Sequence, residues 1–403
     1  MIDLLLISVD SLRLDHAGRA TDSLVRTPRF DRCSAEFAFS ERCFSVSSAT
    51  RPVHTSLVTG LYPFEHGIQG QQDQRVRQGA PRLFRQCSAR TMDTAILSEA
   101  PTIFTGLDLG VPVSPLVADP GGGVLQIERW LAAPRGPSRC LLLHYWSAHA
   151  PYGAADGKAL GETAQLLREG HVEEVQRRYR QAVEDVFEHK IAPLLEKLDL
   201  SRWGVMLFGD HGESWTKDEF YHGTTVRNRV LRVPLYVHAP YSGNPVPDRG
   251  GVVSLIDLYA TACAMLGLPR EDNGFGVDLL DPGAADRCAT TGFRMAEVRP
   301  GMDAGDDSVL IGPDSASSAP SPVRWCVFDA THRLHGELEE WELEEQWTER
   351  PVEADADQVA ARYLAAREAF YHESKWVHRP LEGMATPTDD EALRQRLRAL
   401  GYL

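Results

Sequence analysis

Short apolar runs alternate along most of the chain with stretches that have helical spacing. Residues 4–9 and 203–209 are almost entirely apolar, and runs of this length bounded by polar residues are typical of buried strands. The segment 171–198 instead carries apolar residues at the spacing of one helix face. This alternation predicts an α/β protein in which helices pack on a mostly parallel sheet. Further apolar runs that fit the same sheet are 94–97, 140–145 and 233–238.

The pattern changes in the last third of the chain. A stretch rich in Gly, Ser and Pro spans residues 301–322. The sequence that follows, residues 323–334, has a pattern typical of short strands. The acidic run 336–345 is interpreted as a solvated face, and residues 389–400 have the pattern of a terminal amphipathic helix. We therefore expect a large domain over residues 1–285 and a small subdomain over residues 286–403.

Polar side chains directly follow two of the predicted strands. Asp10 comes after the first strand, and Asp210 and His211 come after the run that ends at residue 209. Open α/β sheets place their sites at the carboxyl ends of strands, so we expect these side chains to lie close together. With Thr50 they form a mostly oxygen ligand set that suits one divalent cation. The imidazole favours Mn or Zn, while Ca or Mg is possible.

Thr50 lies at the predicted start of a helix. Pro52 is favoured at the first helical position and Gly60 is a typical helix stop, so a helix is predicted over residues 52–59. A hydroxyl just before it faces free backbone N–H groups and the positive end of the helix dipole. This environment favours an alkoxide and binds a phosphate or sulfate oxygen. Taken alone, Thr50 is better explained as a helix cap; the three metal-ligand candidates favour a nucleophile instead.

These residues resemble the sulfatase branch of the alkaline phosphatase superfamily. The activation motif of that family, C/S-x-P-x-R-x-x-x-x-T-G, aligns without gaps on residues 50–60. Residues 142–152 resemble the strand and turn that deliver a substrate-binding histidine, here His149. Residues 221–223 match the stretch that presents a second cationic or hydrogen-bonding group, here His222. The resemblance implies a three-layer αβα sandwich with a mixed, mostly parallel central sheet, and a small C-terminal α+β subdomain.

The departures from the family pattern bear on the chemistry. Sulfatases carry a Cys or Ser that is oxidised to formylglycine where this chain has Thr50, and an arginine where it has His54. Ser11 stands at the position of a second aspartate ligand. Ser98 and Glu99 stand where sulfatases bring a lysine and a histidine to the leaving group. Relatives that act on phosphate esters use a metal-activated threonine as the nucleophile. A bound cation activates the threonine because it lowers the pKa of the hydroxyl.

We therefore predict a metal-dependent enzyme that hydrolyses or transfers a phosphate mono- or diester through a covalent phosphothreonine at Thr50. His149 and His222 are predicted to bind the anion or to protonate the leaving oxygen. Arg51 and His54 are predicted to bind substrate, although Arg51 is equally well explained as a surface arginine at a helix start. The alternatives are a sulfatase-like hydrolase that needs no formylglycine, and a non-catalytic descendant that binds an anion or a partner.

Three nearby residues receive secondary assignments. Asp218 and His222 have a spacing that could help build a second metal site, although such spacing is common by chance on a loop. Glu213 is expected to orient His211 or to cap the following turn. His144 lies in an apolar strand, and we expect a core histidine there rather than a metal ligand.

Composition limits the classes of partner. A formal charge of −15 over 403 residues argues against nucleic acid or an anionic membrane as partner. It does not exclude the small anionic ester substrate that the resemblance implies, because a metal and a few histidines can reverse the field locally. No apolar run reaches the roughly 18 residues of a membrane span, and the first residues lack the features of a signal peptide. The seven cysteines show no disulfide or metal spacing, which favours a cytoplasmic location. The oligomeric state is left open.

Overall fold

A computed structural model describes the chain from residue 2 to residue 382, with internal gaps. The predicted terminal helix at 389–400, the residue Asp218 and the predicted boundary between residues 285 and 286 lie outside the described residues. The gaps are residues 72, 74, 118–122, 134–135, 154–156, 217–218, 242–250, 273, 282, 284–291 and 301–320.

A sheet of eight strands forms the centre of the described structure, in the order β10-β2-β9-β6-β1-β5-β3-β4. Neighbouring strands are parallel, except that β9 is antiparallel to both of its neighbours. The described strands are β1 (Asp3–Val9), β2 (Ala38–Phe44), β3 (Asp93–Ser98), β4 (Val113–Pro115), β5 (Arg139–Tyr145), β6 (Trp203–Gly209), β7 (Ser214–Thr216), β8 (Glu219–Tyr221), β9 (Arg232–His238), β10 (Val253–Ser254), β11 (Arg294–Val298), β12 (Arg324–Phe328), β13 (His332–Glu337) and β14 (Glu340–Glu345).

Helices cover both faces of this sheet. In β1, successive side chains point to opposite faces, so Leu4 and Leu6 join one core while Leu5 and Ile7 join the other. This arrangement confirms the predicted three-layer αβα sandwich with a mixed, mostly parallel sheet. The described α-helices are α1 (Pro28–Cys33), α2 (Thr50–Thr59), α3 (Pro63–His66), α4 (Leu83–Ala89), α5 (Val124–Ala132), α6 (Gly157–Arg168), α7 (Val172–Asp185), α8 (Ala192–Leu195), α9 (Asn228–Leu231), α10 (Asp257–Leu266) and α11 (Ala356–Glu373).

The segment predicted as one helix over 171–198 contains three helical pieces. The α-helix α7 continues into a π-helical turn at Val186–Ile191, and α8 follows directly. Tyr179 and Val183 of α7 are fully buried in the same core as Ile7, so the predicted apolar face packs on the sheet as expected.

The predicted C-terminal strands form a second sheet, which is antiparallel in the order β11-β12-β13-β14. The acidic run contributes the hairpin of β13 and β14, and its residues 338–342 are largely exposed, although Leu343 and Glu344 are buried. Helix α11 packs against β12 and β13. No helix in the described ranges is long and apolar enough to cross a membrane.

Candidate active site

The carboxyl ends of five sheet strands meet at one edge of the central sheet. Asp10 follows β1, Asp210 follows β6, and the segment after β2 leads to Thr50 at the start of α2. The strands β3 and β5 end at the same edge and deliver Glu99 and the turn that carries His149. Strand parallelism therefore produces the convergence that the sequence pattern predicts.

The four predicted metal ligands lie together and are fully buried. The hydroxyl Oγ1 of Thr50 is 3.2 Å from Nε2 of His211 and 3.4 Å from Oδ2 of Asp10. Nε2 of His211 is also 3.6 Å from Oδ1 of Asp10 and 3.6 Å from Oδ2 of Asp210. One cation could therefore be reached by all four side chains.

The hydrogen bonds of Asp210 and His211 test whether a cation fits. Oδ1 of Asp210 accepts the backbone N–H groups of Ser11 (3.1 Å) and His211 (2.8 Å), whereas its Oδ2 is buried without a hydrogen-bond partner. The Nδ1–H of His211 donates to the carbonyl of Gly212 at 3.0 Å, so a neutral imidazole turns the Nε2 lone pair toward the two carboxylates. Lone pairs that face one another in a buried site repel unless a cation lies between them. The donor set fits a divalent cation.

The electrostatics of the metal-free site are correspondingly unfavourable. Burial raises the pKa of Asp210 well above its ordinary value, and the neighbouring charge of Asp10 raises it further. Burial also opposes ionisation of Asp10, but its hydrogen bond to His144 and the nearby histidines lower the pKa of Asp10 overall. Burial lowers the pKa of His211 to about 3. At neutral pH the imidazole of His211 is therefore uncharged and does not offset the charge of the two carboxylates.

Helix α2 begins two residues earlier than predicted, with Thr50 as its first residue and Ala49 as its N-cap. The left-handed Gly60 ends it as predicted, at φ 71°. Pro52 is tolerated in the third position because the first four N–H groups of a helix have no partner within the helix. The N–H of Arg51 donates to Oε1 of Gln71 at 2.8 Å, so this donor is engaged and not directed to an anion.

Arg51 differs from the predicted substrate contact. Its buried guanidinium donates to the main-chain carbonyls of Asp73, Ile103 and Thr105, at distances of 2.8 to 3.2 Å. These hydrogen bonds hold two loops against α2. We therefore assign Arg51 a structural role and no contact with substrate.

His54 and His144 form a buried layer beside the carboxylates. The Nδ1–H of His54 donates to the carbonyl of Thr50 at 2.9 Å, and its Nε2 has no hydrogen-bond partner among the described residues. This buried position, one helical turn after Thr50, differs from the predicted substrate contact. Burial and the neighbouring His144 lower the pKa of His54 to about 3.

His144 is buried as expected, but it contacts the site. Its Nε2 lies 3.1 Å from Oδ2 of Asp10 and its Nδ1 lies 2.8 Å from Oγ of Ser98. His54, His144 and Asp210 also have ligand atoms within 4.8 Å of one another. A polar residue inside an otherwise apolar strand was the only sequence signal for this contact.

His149 and His222 lie together beside His211. The His222 ring lies 4.3 Å from the His211 ring and 4.8 Å from the His149 ring. The Nδ1–H of His149 donates to the Ala150 carbonyl at 2.6 Å, so in the neutral ring the proton lies on Nδ1 and not on Nε2. Burial lowers the pKa of His149, and it lowers the pKa of His222 to about 4.

Glu213 contacts His222 rather than the predicted His211. Its Oε1 is 3.1 Å from Nδ1 of His222, and the hydroxyl of Tyr152 donates to its Oε2 at 3.4 Å. Burial raises the pKa of Glu213 to about 7. Glu213 thus fixes the orientation of His222.

Known proteins resemble this chain in sequence and in fold. A sequence model of the type I phosphodiesterase / nucleotide pyrophosphatase family matches residues 4–231, which is more than half of the chain. The chain therefore belongs to this family. No curated protein matches the sequence.

Solved structures share the fold over almost the whole chain. A 2-O GAG sulfatase superposes with a TM-score of 0.72 at 13% identity, and the match covers 93% of this chain and 92% of that one. The phosphonate monoester hydrolase from Silicibacter pomeroyi has a TM-score of 0.68 at 16% identity, with coverage of 93% and 96%. The lipoteichoic acid synthase LtaP from Listeria monocytogenes has a TM-score of 0.61 at 15% identity, with coverage of 95% and 94%.

The family match and the shared fold confirm the predicted sulfatase-like member of the alkaline phosphatase superfamily. They support an enzyme that hydrolyses phosphate or sulfate esters.

Proposed function

We propose that this member of the type I phosphodiesterase / nucleotide pyrophosphatase family is a metal-dependent hydrolase or phosphotransferase of phosphate esters, with Thr50 as nucleophile. The observation that carries the proposal is the position of the Thr50 hydroxyl. It lies at the start of α2, 3.2 Å from Nε2 of His211, in a buried site where Oδ2 of Asp210 accepts no hydrogen bond from any described residue.

Asp10, Asp210, His211 and the Thr50 oxygen would hold one divalent cation. The histidine nitrogen favours Mn or Zn, while the oxygen ligands make Ca or Mg possible. When bound, the cation lowers the pKa of the threonine hydroxyl and neutralises the charge of a phosphoryl oxygen. With two carboxylates in the ligand set, a divalent cation brings the formal charge of the site to zero.

Side chains of the protein supply the nucleophile and the proton transfers. The Thr50 oxygen, already deprotonated, bonds to phosphorus as the ester P–O bond breaks, and His149 or His222 gives a proton to the leaving oxygen. Water or an acceptor alcohol then bonds to phosphorus and gives one of its protons to the imidazole, and the bond from Thr50 to phosphorus breaks, which restores the deprotonated Thr50 oxygen. The bound anion opposes the lowering of the histidine pKa values by burial, which favours protonation of the imidazoles when substrate is present.

The identity of residue 50 separates phosphate from sulfate chemistry. Formylglycine is formed from Cys or Ser, and Thr50 is neither. The structural neighbours include a GAG sulfatase as well as a phosphonate monoester hydrolase, so a sulfate ester without formylglycine is the second candidate. A non-catalytic anion-binding protein is the third, and the intact set of Asp10, Thr50, Asp210 and His211 weighs against it. The cytoplasmic location stays a prediction.

A rate screen with matched variants tests the proposal. Aryl phosphate monoesters, phosphodiesters and sulfate esters are supplied with Mn, Zn, Mg or Ca to the wild type, Thr50→Ala, Thr50→Ser and Thr55→Ala. Thr55 is the matched control because it is a buried threonine on the same helix, whose hydroxyl donates to the Arg51 carbonyl. We expect phosphate-ester turnover that needs the cation, vanishes in Thr50→Ala and survives in Thr50→Ser and Thr55→Ala.

Two results would contradict this function. Full turnover by Thr50→Ala would remove the threonine mechanism, and faster turnover of sulfate esters would favour the second candidate. Measured metal content of each variant separates a lost nucleophile from a lost cation.

A further inference from the structure

A buried ion pair lies behind the turn that carries His149. Nζ of Lys190 is 2.5 Å from Oε1 of Glu99, and the two side chains are only 10% and 3% exposed. Lys190 belongs to the π-helical turn Val186–Ile191, and Glu99 directly follows β3. Single π-helical turns occur frequently at functional sites. The pair is 91 residues apart in sequence, so only the fold brings it together.

The carboxylate of Glu99 binds two backbone N–H groups of this turn. Its Oε2 accepts the N–H groups of Trp146 and Ser147, each at 2.9 Å, and the hydroxyl of Ser147 at 2.7 Å. Lys190 also donates to Oγ of Ser147, at 2.7 Å. One carboxylate therefore caps two successive N–H groups, and the lysine holds both the carboxylate and the serine.

The same turn sets the position of His149. The carbonyl of Trp146 accepts the N–H of His149 at 2.9 Å, and the Trp146 ring stacks on the imidazole at a centroid distance of 4.8 Å and an angle of 21°. A chain of direct contacts thus leads from the lysine through Glu99 and the turn to the imidazole that faces His222.

We propose that Lys190 and Glu99 are positioning residues that hold His149 in place for proton transfer to the leaving oxygen; this rests on the function proposed above. Without the lysine, Glu99 would be a buried carboxylate without a cation, and such a charge is strongly disfavoured. The carboxylate would then turn toward water, and this movement releases the N–H groups of Trp146 and Ser147. The turn then no longer fixes the imidazole.

The test compares leaving groups rather than rates alone. A general acid matters most when the leaving oxygen is basic, so phenyl and 4-nitrophenyl esters of the phosphate class that the wild type hydrolyses are the probes. In Lys190→Met we expect kcat for the phenyl ester to fall by about tenfold or more, and kcat for the 4-nitrophenyl ester to change less than about threefold. Lys190→Arg restores the charge and is expected to recover most of the phenyl-ester rate.

A matched lysine controls for the loss of charge. Lys197 forms an ion pair with Glu128 on the surface, where the two side chains are 48% and 33% exposed. Lys197→Met is expected to leave both rates unchanged. Ser147→Ala removes one link of the network without leaving a charge unpaired, so it is expected to show the same selective loss to a smaller degree, even where Lys190→Met folds poorly.

Equal loss on both esters, or no loss on either, would overturn the positioning role. If Thr50→Ala is inactive while Lys190→Met shows the wild-type dependence on leaving group, the proposed function stands and the inference fails. Crystal structures of wild type and Lys190→Met add a readout that needs no turnover. A displaced imidazole of His149 supports the proposal, and an unmoved one contradicts it.

Discussion

Replacing Asp210 by asparagine is expected to make the metal-free protein more stable while removing its cation. The substitution keeps an oxygen to accept the N–H groups of Ser11 and His211, because Oδ1 alone receives both bonds. It replaces Oδ2, which is buried without a hydrogen-bond partner among the described residues, by an uncharged NH₂ group. The change therefore removes a buried carboxylate from the site that it shares with Asp10.

The magnitude has an upper limit set by protonation. Burial raises the pKa of Asp210 above its ordinary value of 3.8, so the metal-free protein either protonates this carboxyl or buries its charge. At pH 7, protonation costs at most about 4 kcal/mol, because each pH unit above the ordinary pKa costs about 1.4 kcal/mol. A raised folded-state pKa contributes its full stability below the unfolded pKa and loses it as pH rises. The gain of Asp210→Asn is thus about 1–4 kcal/mol at pH 7 and below about 2 kcal/mol at pH 5.

Urea unfolding in EDTA, at pH 5 and pH 7, measures this difference directly. A second series adds the cation, where the wild type is expected to gain about 4 kcal/mol at a thousandfold excess over Kd while Asp210→Asn gains little. Asp185→Asn is the charge control, because this exposed carboxylate accepts a hydrogen bond from Nε2 of Gln181 at 3.0 Å and lies 3.9 Å from Nε2 of His189, both on the same helical segment. A metal-free Asp210→Asn protein that is less stable than the wild type, or that binds the cation equally well, would refute the reasoning.

Two further variants test other contacts of the described structure. Glu213→Gln weakens the group that orients His222, so turnover is expected to fall by about 10- to 100-fold with unchanged metal content; unchanged kinetics would contradict this. Glu65 accepts the N–H of Tyr62 and the hydroxyl of Ser374, and burial raises its pKa to about 7 from 4.5. Because the folded-state pKa is the higher one, the wild type should lose up to about 3 kcal/mol relative to Glu65→Gln between pH 4.5 and 7. Parallel curves of unfolding free energy against pH would disprove this assignment.

The sequence predicts well those features that depend on one segment alone. Apolar runs give the strands, and because parallel strands end at one edge, the residues after them converge there. Asp10 and Asp210 are found this way without knowledge of any contact. Gly60 likewise ends its helix where local chemistry requires it, with a left-handed backbone.

Contacts between distant segments cannot be predicted from such local patterns. The helix-start position of Arg51 does not reveal that the carbonyls of Asp73 and Ile103 are near enough to take up its donors. The partners of His144 and Lys190 lie 43 to 134 residues away, and no pattern within either strand or helix indicates them. The positions of the site residues can therefore be predicted from local sequence patterns. The contacts of each side chain, and hence its role, depend on the tertiary fold.

The distribution of charge explains why this site is expected to depend on a cation for its stability as well as its chemistry. The buried Glu99 has Lys190 as its own cation. Asp10 and Asp210, in contrast, form no ion pair with a lysine or arginine among the described residues; the basic side chains near them there are histidines, and burial lowers the pKa of His211 to about 3. The chain thus neutralises one buried acid with lysine but supplies no such cation to the adjacent pair of acids. We expect a divalent cation to take this place, and its binding to stabilise the fold around Thr50 before any substrate arrives.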